Sequence, residues 1–409
     1  MKLLVLSRSM TISRFIFTVK LGVEIIKALI WEAHLKPMKQ RLNSQKFHHR
    51  WRRKLLALLL LVFCFATVVL MESHCSRIKM LTSISPPSQK PKIAFLFIAR
   101  NRIPLDIVWD VFFQGDADNR FSIYVHSRPG FLLTTATTRS AFFLNRQINN
   151  SIQVDWGEAS MILAERILLQ NALMDPFNER FIFLSDSCIP LYNFSYTYDY
   201  IMSASISFVD SFVDRKESRY NPKMHPVIPV DNWRKGSQWV VLTRKHAGIV
   251  VEDEIVFPMF RSHCKKKSLP EFWRDRPFPS DASKEHNCIP DEHYAQTLLT
   301  QKGLEREITR RSLTHSSWDL SSSRDPQRRG WHPVTYRLTD ATSMLIQSIK
   351  VIDNIYYETD YRREWCTSKG KPSKCFLFAR KFTRPAALRL LNMSALGVST
   401  EATLETKYT

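Results

Sequence analysis

A pair of acidic residues, Asp291 and Glu292, opens a predicted helix that continues to Gln301. Asp291 suits the N-cap position, and Glu292 in the first turn would be stabilised by the positive end of the helix dipole. A carboxylate at such a loop–helix junction could also serve as a general base, which takes a proton from an attacking hydroxyl group. The residue types are therefore compatible with a helix cap and with a catalytic base.

A basic segment near the C-terminus, Phe376–Phe382, places Arg380 and Lys381 between hydrophobic residues. One interpretation is an amphipathic strand whose basic side chains are solvated. The other is a clamp for a diphosphate group, because arginine and lysine side chains bind phosphate oxygens strongly.

The glycine content decides which kinds of phosphate site this chain can form. The sequence contains ten glycines, and the closest two, Gly236 and Gly248, are twelve positions apart. The patterns GxGxxG and GxxxxGK[ST] are therefore absent, which excludes the glycine-rich dinucleotide loop and the P-loop. Any phosphate site must instead use side chains, helix N-termini or a metal ion.

Two tryptophans, Trp233 and Trp239, flank Gly236 just before a predicted strand. Tryptophan side chains bury large hydrophobic surfaces, so a place in the core is the simpler interpretation. The alternative is a platform on which a sugar ring stacks. The sequence leaves both interpretations open.

Histidines and cysteines are scattered over the segment 263–293, but their spacings match no familiar zinc motif. Cys264 and Cys288 in this segment are candidate disulfide partners, as are Cys366 and Cys375 further along the chain. Connectivity does not follow from sequence alone. We therefore expect disulfide bonds here and no metal site.

Hydrophobic periodicity predicts strands that alternate with helices from residue 92 onwards. The strands are Ile93–Ala99, Phe121–His126, Phe181–Ser185 and Gln238–Leu242, and the helices are Pro104–Gly115, Gly157–Leu173 and one from Thr243, its cap, towards Asp253. This order predicts an α/β fold with a mainly parallel sheet and helices on both faces. Because ligands of such sheets bind at the C-terminal strand ends, the segments 99–102, 126–128 and 185–190 are candidate site regions.

The charge distribution divides the chain into segments. Thirteen Lys or Arg residues and only two Glu precede residue 55, whereas Leu55–Met71 carries no charge. An apolar run behind a basic cluster predicts one membrane-spanning signal anchor with its tail in the cytosol; a cleaved signal peptide and a buried helix are the competing interpretations. The predicted organisation is a basic cytosolic tail (1–54), an anchor (55–71), a stem (72–91), a lumenal domain (92–396) and a C-terminal tail (397–409).

The net charge of +21 does not by itself indicate nucleic-acid binding, because eleven of these charges lie in the tail that orients the anchor. Six cysteines follow the anchor, together with Asn-x-Ser sequons at Asn149, Asn193 and Asn392. Both features suit an oxidising lumen. We therefore expect a membrane-anchored lumenal protein that binds no nucleic acid.

Five segments in this order resemble the core-2/I-branching β-1,6-N-acetylglucosaminyltransferase-like family, in its plant branch (glycosyltransferase family 14). They are Asp155–Glu158, Phe183–Phe194, Trp233–Trp239, Pro290–Tyr294 and Phe376–Phe382. The resemblance extends over about residues 92–396. It implies one GT-A-like, Rossmann-type α/β domain on a single N-terminal transmembrane helix in the Golgi membrane.

The resemblance also implies a chemistry: inverting, metal-independent transfer of a sugar from a UDP-sugar to a hydroxyl group of a glycan or glycoprotein, without a cofactor. N-acetylglucosamine and glucuronic acid are the donor sugars that it suggests. It assigns Glu292 as the catalytic base and Lys381 as the diphosphate ligand, with Arg380 as a candidate helper. Further candidate contacts, for the cap and the acceptor, are Asp291, Trp233 and Trp239.

The chain departs from the family pattern at two places. The family carboxylate after the second strand is replaced by Ser127, and the upstream phosphate-binding arginine has no counterpart at the matching position, the nearby arginine being Arg337. These departures motivate an alternative hypothesis, a catalytically silent relative that binds glycans or scaffolds other membrane enzymes.

Overall fold

The structure is a computed structural model that describes residues 57, 67, 90–155, 157–214, 219–264, 288–318, 333–368 and 370–398. The chain divides into two compact units, residues 1–88 and 89–409. The predicted tail, nearly all of the predicted anchor (55–71) and nearly all of the predicted stem lie outside the described residues. Within the described residues, no helix has the length and apolar character needed to cross a membrane.

The second unit contains the strands and helices that the hydrophobic pattern predicts, with ends that differ by a few residues. Its strands are β1 (Lys92–Ile98), β2 (Phe121–His126), β3 (Asn178–Ser185), β4 (Ile189–Pro190), β5 (Ser207–Phe208), β6 (Phe212–Val213), β7 (Arg234–Lys235), β8 (Val241–Thr243), β9 (Ile308–Thr309), β10 (Thr314–Ser316), β11 (Asn354–Tyr357), β12 (Arg362–Trp365), β13 (Thr367–Ser368), β14 (Lys371–Pro372) and β15 (Phe378–Arg380). Its α-helices are α1 (Asp106–Gln114), α2 (Ser160–Leu173), α3 (Phe194–Ser203), α4 (Arg244–Glu252), α5 (Val256–His263), α6 (Tyr294–Gln301), α7 (Ser343–Lys350) and α8 (Arg384–Asn392).

The central sheet has six strands in the order β2-β1-β3-β8-β5-β9. Strands β2, β1 and β3 are parallel, as are β5 and β9, whereas β8 is antiparallel to both of its neighbours. Three of the five strand pairings are parallel, so the sheet is mainly parallel as predicted, and β8 is the antiparallel exception that makes it mixed. Among the described residues, no α-helix lies between β5 and β8, so the chain reaches β8 without the helical crossover that a strand parallel to β5 would require.

The first strand shows why the sheet is covered on both faces. Ile93, Phe95 and Phe97 pack into one hydrophobic layer, and Ala94 and Leu96 pack into the other. Helices α1, α3 and α8 contribute to the first layer, and α2, α4, α5 and α6 contribute to the second. A strand buried on both faces has an uninterrupted hydrophobic sequence, so the predicted helices on both faces are confirmed.

A small sheet brings the C-terminal basic segment to the main sheet. Strand β15 lies between β10, to which it is parallel, and β4, to which it is antiparallel. Strand β4 follows the end of β3 by a few residues, so Arg380 and Lys381 are placed beside the C-terminal edge of the parallel strands. This is the edge at which α/β sheets bind ligands.

Both candidate disulfide pairs are present. Cys264 is bonded to Cys288 and Cys366 is bonded to Cys375, with Cα–Cα distances of 5.2 Å and 5.1 Å. Cys188 is a buried free thiol. Since Cys264 and Cys288 are bonded to each other, the pairing removes the only two thiolate ligands that a zinc site in the segment 263–293 could have used.

Candidate active site

A cavity of about 300 Å³ lies where β7, the turn before α6, β10, β11 and β15 meet. Its walls combine both signs of charge with aromatic rings. The lining includes the acids Asp210 and Glu292, the cations Lys235 and Arg380, and the aromatic residues Trp239 and Tyr357. A cleft that holds a few convergent polar groups against aromatic walls is typical of small-molecule sites.

Glu292 enters this cavity from a 3₁₀ turn, Pro290–Glu292, that precedes α6. Its carboxylate lies 3.6 Å from the Lys235 ammonium group, and its side chain is 20% exposed. Its backbone carbonyl accepts a hydrogen bond of 2.9 Å from the N–H of Gly236. Glu292 is therefore fixed at both its backbone and its carboxylate, while it still reaches the cavity, as a general base requires.

Gly236 is required by the close approach of two chain segments. A Cβ atom at this position would lie 1.8 Å from the carbonyl oxygen of Asp210 and 2.5 Å from its carbonyl carbon. The next residue, Ser237, donates its backbone N–H to the Asp210 carboxylate at 3.0 Å. The glycine thus lets one short segment hold both the Asp210 carboxylate and the Glu292 carbonyl.

The cap prediction for Asp291 is wrong. Asp291 lies inside the 3₁₀ turn, and the N-cap residue of α6 is His293, which makes no side-chain cap hydrogen bond. Ile289, the residue before the turn, has a left-handed φ of 48° and is followed by Pro290. Both acidic residues therefore lie within the 3₁₀ turn and not at the start of α6. His293 instead reaches back, with its ring 3.0 Å from the Ile289 carbonyl and 3.1 Å from the carboxylate of Asp214.

The environment of Asp291 differs from that of a surface carboxylate. Its side chain is buried, and its Oδ1 atom has no hydrogen-bond partner among the described residues. Burial, followed by the charge of Glu292, raises the pKa of Asp291 to about 7. Asp291 therefore stays largely protonated below neutral pH, which spares Glu292 a second adjacent charge.

Arg380 lies over the ring of Trp239, with 4.5 Å between the guanidinium carbon and the ring centroid. Both residues line the cavity. The interpretation of Arg380 as a solvated surface residue is therefore wrong, because its side chain packs on Trp239 in the cavity wall and is only partly exposed. Burial lowers the pKa of Arg380, and the charge of Asp186 opposes this shift.

Lys381 occupies a neighbouring position that is not part of the cavity lining. Burial and the charge of Arg380 lower its pKa, and the charge of Asp186 raises it. Asp186 follows β3, and its backbone N–H donates to the carbonyl of Ile98 at the end of β1 at 3.2 Å. Phe382, which follows Lys381, donates its backbone N–H to the carbonyl of Ser187 just after β3 at 3.0 Å, so Lys381 lies near the C-terminal edge of the parallel strands.

The two tryptophans have different environments. Trp233 is 2% exposed, and its indole packs against the rings of His293 at 4.6 Å and Phe260 at 5.4 Å. It is not among the residues that line the cavity. This placement favours the core interpretation for Trp233, whereas Trp239 is the tryptophan that faces the cavity.

Replacing Trp233 with alanine tests this distinction. We expect the free energy of unfolding to fall by about 3–5 kcal/mol, because the large stacked side chain leaves a cavity behind. Trp365→Ala is the matched control, since its side chain is 59% exposed, and we expect a loss below about 1 kcal/mol. Denaturant titration of both variants measures the difference, and equal losses would contradict the core assignment.

Three residues that the sequence reasoning did not single out line the cavity: Asp210, Lys235 and Tyr357. The Tyr357 hydroxyl donates to Asp210 at 2.5 Å, and burial raises the pKa of Asp210 to about 6. Lys235 adjoins Gly236, so the lone glycine of this segment was the available signal. Tyr357 had no local signal, because it reaches the site through the tertiary fold.

The structure also shows the surroundings of Ser127 and Arg337, the residues at the two departures from the family pattern. Ser127 is buried and donates to the carbonyl of Asn101 at 2.8 Å, so its hydroxyl group is already used within the protein. Arg337 is exposed at the start of a 3₁₀ turn, Leu338–Asp340. Among the described residues, no group of three or more His, Cys, Asp or Glu side chains could hold a metal ion.

Comparison with known proteins gives one extended match to a family. The model of the Core-2/I-branching enzymes matches residues 93–350. A protein of Oryza sativa subsp. japonica, described as Glycosyltransferase BC10, is 70% identical over 320 residues, which cover 78% of this chain and 80% of that protein.

Likeness to solved structures is much weaker. An active-site mutant of LgtC is 9% identical over 71% of this chain and 87% of its own, with a TM-score of 0.32. The galactosyltransferase LgtC in complex with donor and acceptor sugar analogues is 11% identical over 53% of this chain and 72% of its own, with a TM-score of 0.28. Scores this low support no conclusion about fold or activity.

Proposed function

This chain belongs to the Core-2/I-branching enzyme family, and on that premise we propose that it is an inverting glycosyltransferase. Its donor is a UDP-sugar that carries N-acetylglucosamine or glucuronic acid, and its acceptor is a hydroxyl group of a glycan or glycoprotein. The observation that carries this proposal is the presence of the Glu292 carboxylate and the Arg380 guanidinium group in one cavity, next to Lys381.

In the proposed reaction, Glu292 accepts the proton of the acceptor hydroxyl group. The acceptor oxygen then forms a bond to the anomeric carbon as the bond from that carbon to the UDP oxygen breaks. Because this is a single displacement, the anomeric configuration inverts. A base is effective only within hydrogen-bond reach of the hydroxyl group, and Glu292 is held for this by Lys235 and Gly236.

Negative charge grows on the departing UDP, and cationic side chains can stabilise it. Lys381 lies near the C-terminal end of β3, where α/β sheets bind ligands, and its neighbour Arg380 lines the cavity. Preorganised positive charge in a partly buried site stabilises such a transition state more than solvent does. We therefore assign Lys381 to the diphosphate, Arg380 to the same group from the cavity side, and Trp239 to the acceptor.

We place the enzyme in the Golgi membrane, with a GT-A-like catalytic domain in the lumen and residues 55–71 as a single-pass signal anchor. The basic tail in front of this apolar run supports the orientation. The disulfide bonds of Cys264 with Cys288 and of Cys366 with Cys375 support an oxidising compartment.

Donor binding by the full-length chain in detergent tests the diphosphate assignment and the expected metal independence. We expect UDP-N-acetylglucosamine or UDP-glucuronic acid to raise the melting temperature, with the same Kd in manganese and in EDTA, because side chains replace a metal ion. Lys381→Ala should raise this Kd by at least about tenfold through loss of a charge-assisted contact. A Kd that depends on manganese, or that Lys381→Ala leaves unchanged, would contradict the assignment.

A catalytically silent, glycan-binding relative is the second candidate function. It is favoured by Ser127, because its buried hydroxyl group already donates to a backbone carbonyl and leaves the family's carboxylate position without a charge. A chain that binds a UDP-sugar but neither transfers nor hydrolyses it would support this candidate.

A further inference from the structure

The hairpin β11–β12 forms one wall of the cavity. Its two strands pair only with each other among the described residues. One face of the hairpin carries Ile355 and Tyr357, and both of these side chains line the cavity with Glu292. The position of this wall therefore depends on whatever fixes the hairpin to the rest of the domain.

Asp360, in the 3₁₀ turn that joins the two strands, makes that connection. Its Oδ1 atom accepts the backbone N–H of Val213, at the end of β6, at 3.0 Å. Its Oδ2 atom accepts a hydrogen bond of 2.6 Å from Arg310 and lies 3.6 Å from the guanidinium group of Arg362. The Asp360 side chain is only 9% exposed, so these contacts are little screened by solvent.

The two arginines extend the connection to the backbone. Arg310 and Arg362 both donate to the carbonyl of Ser211, each at 3.1 Å. Arg362 also lies over the ring of Tyr357, with 4.2 Å to its centroid. One carboxylate and two guanidinium groups thus join the hairpin turn to the segment 211–213.

The connection continues from the hairpin to the candidate base. Tyr357 packs against Phe212 at 5.5 Å, and its hydroxyl group donates to Asp210. Asp210 in turn accepts the N–H of Ser237, whose neighbour Gly236 donates to the Glu292 carbonyl. A displaced hairpin would release Tyr357, and the segment that fixes Glu292 would lose one of its supports.

We propose that Asp360 is a positioning residue, which fixes the β11–β12 hairpin as the acceptor-side wall of the cavity and thereby supports Glu292. Asp360 itself does not line the cavity, so it acts through Tyr357 and Asp210. The inference rests on the proposed function only in assigning this wall of the cavity to the acceptor. Lys381, the assigned diphosphate ligand, does not line the cavity, so we expect donor binding to depend little on the hairpin.

Asp360→Asn tests this proposal, because asparagine keeps the shape but turns an N–H donor towards two guanidinium donors. In the full-length protein, we expect hydrogen exchange of residues 354–365 to become at least about tenfold faster, with unchanged exchange at residues 185–188. We expect the acceptor KM to rise by about tenfold while the donor KM stays within about twofold, because only one wall moves. Asp360→Glu should restore part of both effects, since it restores the charge.

Asp340→Asn is the matched control, because this exposed carboxylate also accepts a backbone N–H in a 3₁₀ turn, from Arg337 at 2.8 Å. It should leave exchange at residues 354–365 unchanged. Unchanged exchange there in Asp360→Asn, or an equal rise of donor and acceptor KM, would overturn the proposal. Hydrogen exchange can be measured without sugar transfer. A wild-type chain that transfers no sugar would therefore count against the proposed function. The exchange rates alone would then decide whether Asp360 positions the hairpin.

Discussion

Replacing Glu292 with glutamine is expected to lower kcat for sugar transfer by about 10³-fold, within the range that general-base catalysis contributes. Glutamine has nearly the same shape, and its backbone carbonyl can still accept the N–H of Gly236. It cannot take a proton, however, so the acceptor oxygen must attack without activation. Because Lys381 and Arg380 are untouched, we expect the donor Kd to stay within about twofold.

The measurement is steady-state transfer by the full-length chain at saturating donor, together with donor binding by thermal shift. Glu307→Gln is the matched control, since Glu307 is likewise paired with a lysine, Lys245 at 2.6 Å, but lies on the exposed surface. It should leave kcat unchanged. A Glu292→Gln variant that retains more than about a tenth of the wild-type kcat would show that another group is the base.

The sequence was most informative where local pattern determines structure. Strand β1 was predicted because burial on both faces leaves no polar position in it, and the start of α4 was predicted because Thr243 caps it, with its side chain accepting the N–H of His246. The reversed direction of β8 was not predicted, because a strand has the same hydrophobic pattern in either direction. Its direction follows from the path of the chain, which local pattern does not record.

The candidate site shows the same division. Glu292 and the basic pair at the end of β15 were found from short segments, but the face that Arg380 presents to the cavity depends on which strands pack beside it. Tyr357 and Asp210 are 147 positions apart, and only the tertiary fold brings them together. Asp291 was misplaced because a left-handed residue followed by proline began a 3₁₀ turn where a regular helix start was expected.

Replacing Gly236 with alanine is expected to have the largest effect on stability among the substitutions of cavity-lining residues. The added Cβ would lie 1.8 Å from a backbone carbonyl oxygen, and backbone cannot move aside as the end of a flexible side chain can. We expect the free energy of unfolding to fall by about 3–4 kcal/mol. Denaturant titration of the full-length chain measures this loss.

Gly248→Ala is a matched control with the opposite expected sign. Gly248 lies in α4, and apart from the adjacent residues and the nearby backbone of this helix no described atom lies within 4 Å of a Cβ built on it. Alanine should therefore stabilise the protein by about 0.5–1 kcal/mol, as expected for the interior of a helix. A Gly236→Ala variant as stable as the wild type would show that the two backbone segments do not approach as closely as described.

The same substitution separates the role of Gly236 in folding from its role at the site. Any fraction of Gly236→Ala that remains folded must move the segment 235–237 away from Asp210, which weakens the hydrogen bonds to Asp210 and to the Glu292 carbonyl. Lys235 would move with it, so the base would lose its ion pair as well as its backbone partner.

Transfer per folded molecule should then fall by at least about 10²-fold, because a base displaced by about 1 Å loses this much. Donor binding at Lys381 should be retained, since no backbone hydrogen bond among the described residues joins β15 to the displaced segment. Full transfer per folded molecule would mean that Glu292 is positioned by something other than this glycine.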